Sequence, residues 1–180
     1  MYFLTAYLVL IFVMAFPACA APVISGNPVL IPATEFQGIM KGDTLHYTLR
    51  GKKGKVRIPD APKWPYASVL NLAVEQANKI YVPLIIQSPS RPNTPLGPCG
   101  AGTEDSIWIF GLAANRATIV GKKVVSSCIN HVELKTEELG TPYDSIAWDA
   151  GKGAYKIDWA ATSNKPESTG YLTYKTGRFW

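Results

Sequence analysis

The chain has 180 residues, of which 47% are hydrophobic and 17% charged, values that exclude disorder throughout and suit one globular domain. A net charge of +5 points to acidic partners. Fifteen Gly and fourteen Pro, spread along the chain, predict many short elements joined by turns and so a β-rich fold.

Residues 2–16 are almost wholly apolar, Pro17 ends the run, and Ala18-Cys19-Ala20 before Ala21 supplies the small residues of a signal-peptidase site. No Lys or Arg precedes the apolar core, a departure from the usual signal. The pattern predicts a signal peptide over 1–20, too short for a membrane span, and no stable span once it is removed. Cys19 as a lipid anchor is the weaker alternative, because Phe16-Pro17-Ala18 matches poorly the residues that precede a lipidated cysteine. The expected destination is the periplasm or the medium.

Residues 21–40, with Pro22, Pro28 and Pro32, predict an extended N-terminal arm, and 41–180 the β-rich domain. Leu45, Tyr47 and Leu49 alternate with His46, Thr48 and Arg50, the period of a half-buried strand. Gly51-Lys52-Lys53-Gly54 is expected to turn the chain, with Val56 and Ile58 continuing the apolar face. Residues 66–78 fit either one short helix or a strand leading to a turn at 76–79. The β-branched run 80–86 is a strand, with Pro83 expected at an edge or bulge.

Residues 88–98 hold Pro89, Pro92, Pro95 and Pro98 beside Arg91, and predict a surface loop feeding into Cys99. The segment from Cys99 to Cys128 reads as two strands joined by a turn at 113–116, which brings the cysteines together. With Cys19 removed by export, an even pair in an oxidising compartment predicts a Cys99–Cys128 disulfide. Residues 129–134 are expected to continue as strand. Residues 145–148 and 155–159 flank a turn at 149–154, and 170–175 form a last strand. The sum is a small mainly β domain of antiparallel hairpins: a meander, sandwich or barrel.

The most distinctive chemistry is cationic. Arg50, Lys52, Lys53, Lys55 and Arg57 crowd one hairpin, with Arg50, Lys55 and Arg57 expected to point outward beside His46, and Arg91 lies on the Pro-rich loop. Such a patch suits another protein with an acidic surface, anionic lipid head groups or a cell-wall glycan. A solubilising hairpin tip is the plainer role for the same lysines. Nucleic acid is not expected, since export removes the chain from it and no aromatic residues interleave the basic ones.

Catalytic and metal signatures are weak. Cys99-Gly-Ala-Gly-Thr-Glu-Asp105 lacks the Lys and the helix of a phosphate loop, and Glu104 with Asp105 falls short of a Ca²⁺ set. Cys128-Ile-Asn-His131 has too few partners for zinc, and a disulfide consumes its thiolate. Asp144, Asp149 and Asp158 could pair as glycosidase carboxylates only if a cleft joined them. The aromatic residues Trp148, Tyr155, Trp159, Tyr171, Tyr174, Phe179 and Trp180 crowd the C-terminal third. They are expected mostly in the core, or lining a glycan groove if exposed.

No metal or cofactor is expected, and the chain reads as non-enzymatic. Its plan of export signal, compact β domain and one disulfide, without a catalytic set, resembles small periplasmic inhibitor and immunity proteins in architecture, not in any motif. That resemblance implies action on an envelope enzyme or toxin. The alternative is a glycan-binding module or glycan-active hydrolase of the cell envelope.

Overall fold

The computed structural model describes residues 28–58, 67–90, 99, 102–113, 116–136, 138 and 140–180. The expected signal peptide and most of the Pro-rich loop, with Arg91, lie outside them. The fold is built from strands β1 (Val29–Leu30), β2 (Phe36–Lys41), β3 (Thr44–Leu49), β4 (Lys52–Arg57), β5 (Ala67–Val69), β6 (Val74–Gln76) and β7 (Lys79–Pro89). It continues through β8 (Thr103–Ala113), β9 (Arg116–Ser127), β10 (Ile146–Asp149), β11 (Ala154–Trp159), β12 (Ser168–Lys175) and β13 (Arg178–Phe179). All pairings between these strands are antiparallel. Part of the stretch read as an extended arm therefore carries β1 and β2.

Three sheets form: β1-β6-β7-β8-β9 with β5 also on β7, then β10-β11-β12-β13, then β2-β3-β4. The first is the central layer, because alternate residues of its long strands enter two different cores. Tyr81, Ile85, Ile107 and Ile109 pack with Ile146, Tyr155, Ile157, Leu172 and Phe179 of the C-terminal sheet. Val82, Leu84, Ile86, Phe110 and Leu112 pack with Phe36, Leu45 and Val56 of the N-terminal sheet. Burial on both faces explains why 81–86 is an unbroken apolar run and not an alternating one. Each such large side chain contributes about 1.5–3 kcal/mol.

Pro83 sits in the interior of β7, not at an edge or bulge. Its carbonyl accepts from Leu70 N–H, so the side on which it lacks a donor faces the neighbouring chain at 70–73. That neighbour is split at this point: β6 pairs with Lys79, Ile80 and Tyr81, whereas β5 pairs with Leu84, Ile85 and Ile86. A proline breaks one ladder position, and the partner strand is broken where the donor is missing.

The helical option for 66–78 is not realised, since the described part forms β5 and β6. Leu70 and Val74 enter one core while Ala73 enters the other, a two-sided burial that a one-faced helix could not supply. The basic hairpin turns one step earlier than expected, at Arg50-Gly51, both with positive φ (46° and 76°). Gly54 belongs to β4 instead, opposite Tyr47, and a Cβ there would collide with the Tyr47 ring. The stretch 129–134 reverses rather than extends: His131 has φ of 50°, and Val132 returns to bridge Ser127.

The Cys99–Cys128 disulfide is present and closes the base of the β8–β9 hairpin, with a Cα–Cα distance of 5.6 Å. Such a bond points to an oxidising, extracytoplasmic setting. Among the described residues no helix is long and apolar enough to cross a membrane.

Candidate functional site: a cationic sheet face

Strand register decides which basic residues share a face. Across β2, β3 and β4 the rows are Gln37–Thr48–Lys53, Ile39–His46–Lys55 and Lys41–Thr44–Arg57. Residues directly opposite one another project from the same side of a sheet. The other side carries Phe36, Leu45 and Val56 into the core, so these three rows form the outer face. Lys41, Lys53, Lys55 and Arg57 are exposed there, and Ile39 is 58% exposed at the centre beside His46. A shallow open hollow runs between Gln37, Ile39, His46, Thr48 and Lys53.

The expected patch is thus partly redistributed. Lys53, Lys55 and Arg57 come together as anticipated, with His46 among them. Lys52, although exposed, pairs with Leu49 and belongs to the opposite parity.

Arg50 is exposed but ion-paired. Its Nε donates to Glu35 (2.9 Å) and a terminal nitrogen to Glu75 on β6 (2.7 Å), clasping the turn to the central layer. Hydrogen bonds to Glu35 first, and then to Glu75, raise the pKa of the guanidinium further. Arg57 donates to Asp43 at 2.6 Å. That bond foremost, aided by one from Thr44, holds the Asp43 carboxyl below the usual carboxylate range. Arg57 is therefore partly neutralised, whereas no ion pair engages Lys41, Lys53 or Lys55 among the described residues.

Lys41 was missed by sequence reasoning, because β2 carries Gly38, Met40 and Lys41, residue types that read poorly as strand. The signal that could have placed it is Gly42-Asp43, a two-residue hairpin loop with Gly42 at φ 60° that puts Lys41 opposite Thr44.

The carboxylates considered for chemistry are engaged elsewhere. Asp105 is buried and accepts from Tyr143 Oη (3.0 Å) and Gln87 Nε2 (3.2 Å). Burial, aided by the Asp105 charge, pushes the Tyr143 hydroxyl above its usual pKa. For Glu104 desolvation is the largest influence and acts upward. Bonds from Ser127, Ser90 and the N–H groups of Ile129 and Cys128 together outweigh it and leave the carboxyl below its usual range. Asp144, inside a short 3-10 helix at Pro142–Ser145, accepts from the N–H and hydroxyl of its N-cap Thr141, Asp149 accepts from Lys152 N–H in a turn, and Asp158 pairs with Lys156. Among the described residues no group of three His, Cys, Asp or Glu could hold a metal ion.

The C-terminal aromatics mostly serve the core. Phe179 lies 5.2 to 5.6 Å, centroid to centroid, from Tyr174, Tyr155 and Tyr81. Trp148 and Trp159 pack against the same cluster. Trp180 is the exposed exception at 65%. No family model, curated protein or solved structure matches the chain.

Proposed function

We propose that the protein is an exported, non-enzymatic binding protein that engages an acidic protein surface through the outer face of β2-β3-β4. An inhibitor or immunity-type protein acting on an envelope enzyme or toxin fits this reading. The observation that carries it is the cross-strand alignment of Lys41, Lys53 and Lys55 around exposed Ile39. Apolar surface ringed by unneutralised cations suits recognition, with the charges steering encounter and the centre excluding water. The bonded states of Asp105, Glu104, Asp144, Asp149 and Asp158 favour binding over acid–base chemistry. The burial of Tyr155 and Phe179 weighs against an aromatic glycan groove.

Affinity capture from a bacterial envelope, followed by kinetics on the captured partner, tests this function. Lys53→Glu with Lys55→Glu should lower the association rate and flatten its salt dependence. Steering acts over about 8 Å at physiological salt, so the loss should be greatest at low ionic strength. Thermal stability should stay within about 0.5 kcal/mol, as usual for exposed substitutions. Unchanged association at low salt would return the lysines to a solubilising role.

Export has its own test. The mature protein should begin near Ala21 without a lipid, and intact mass of the secreted form measures this. An acyl increment on Cys19 would refute it.

A further inference from the structure

The geometry points to β4 as a docking edge that receives an extended acidic segment of a partner protein as an added antiparallel strand, an inference that rests on the cationic-face reading and specifies its mode. β4 is an outer strand of its sheet. The parity of its hydrogen bonds follows from the two-residue loop at Arg50-Gly51, which makes Leu49 and Lys52 a bonded pair. Bonded pairs then recur at Tyr47–Gly54 and Leu45–Val56, and the observed bond from Ile58 N–H to Asp43 carbonyl continues the same series.

The intervening residues Lys53, Lys55 and Arg57 consequently direct their N–H and C=O groups away from β3. No described residue bonds those backbone groups. The same three residues send their side chains to the outer face. Free backbone valences and cationic side chains therefore coincide, residue for residue, along one edge.

Charge selects the occupant. Two copies of β4 paired antiparallel about Lys55 would set Lys55 against Lys55 and Lys53 against Arg57, and like charges opposite one another destabilise a sheet. The edge is thus guarded against its own kind. A strand with carboxylates at alternate positions would meet Lys53 and Lys55 on the outer face, while its backbone completes the ladder. Recognition by strand addition takes affinity from main-chain bonds and specificity from alternate side chains. Contiguous carboxylates would send half their charge to the wrong face.

Two acetylated, amidated peptides of identical composition discriminate: Thr-Glu-Thr-Glu-Thr-Glu-Thr and Thr-Thr-Glu-Glu-Glu-Thr-Thr. Titrated into the full protein at low salt and followed by amide NMR, the alternating peptide should bind at least about tenfold tighter, a gap of roughly 1.4 kcal/mol. The amides of Lys53, Lys55 and Arg57 should shift. Lys55→Pro removes an outward donor that β3 does not use and should abolish binding. Lys55→Gln keeps the donor and should only weaken it.

Should Lys55→Pro fail to fold, an alternating peptide N-methylated on its pairing amides gives the same readout with the protein intact, and it should not bind. Equal affinity for the two sequences, or retained binding of the methylated one, would overturn strand addition while leaving the cationic face as a binding surface. Binding of neither peptide would likewise overturn strand addition, whereas the cationic face itself stands or falls on the association kinetics of the Lys53→Glu, Lys55→Glu variant.

Discussion

Replacing Tyr155 with Ala is expected to cost about 3–5 kcal/mol, the range for deleting a large buried aromatic. Tyr155 is fully buried where the C-terminal layer meets the central sheet, and its ring contacts Trp148 and Phe179. Its hydroxyl donates to the Leu72 carbonyl at 2.9 Å, which ties the two layers together. Tyr155→Phe should therefore cost less, about 1–2 kcal/mol, mostly for the carbonyl left unpaired. Denaturant unfolding of both variants measures the difference. Equal losses would mean that the hydrogen bond, not the packing, holds the interface.

The same residue fixes an alkaline limit. Burial raises the Tyr155 pKa well above the ordinary value, and burial is also the leading cause of the raised values of Tyr81 and Tyr143. The unfolded chain releases these protons near pH 10, while the folded chain retains them. The stability they contribute is complete below about pH 10 and is lost as pH rises towards the folded values. Tyr155→Phe should flatten that decline without abolishing it, since Tyr81 and Tyr143 remain.

Replacing both Cys99 and Cys128 with Ala should cost about 3–4 kcal/mol in the chain-entropy model, given their sequence separation of 29. The double variant avoids the stray thiol of a single one. Its secondary structure should survive, because β8 and β9 remain paired from Glu104–Ser127 to Ala113–Arg116. A loss under about 1 kcal/mol would show that the unfolded chain retains residual structure that already keeps these two positions close.

What could be read from the sequence follows from the range of the interactions involved. Alternation in 45–49 and the β-branched run 80–86 announced strands because both patterns are local. The disulfide was legible because compartment and hairpin geometry left one pairing. The ion pairs of Arg50 are not legible, because Glu35 and Glu75 stand 15 and 25 residues away and no local pattern brings them near. Gly54 reads as a turn residue because its purpose, leaving room for Tyr47, exists only across the ladder. Pro83 defied its usual edge position because the accommodation lies in another strand. The cationic face was half legible: residue types on β4 gave Lys53 and Lys55, but Lys41 required the register of β2.

The layering also sets an order of opening. Each outer sheet is a contiguous piece of chain, β2 to β4 on one side and β10 to β13 on the other, and each is held mainly through one face. Either can lift away as a unit while β7 and β8 stay paired over ten successive positions, from Ile80–Leu112 to Pro89–Thr103. Native-state hydrogen exchange should accordingly resolve tiers, with amides of β7 and β8 released only by global unfolding and those of the outer sheets by smaller, sub-global events. The cationic face would then ride on a separately labile flap, able to adjust to a bound strand without disturbing the interior.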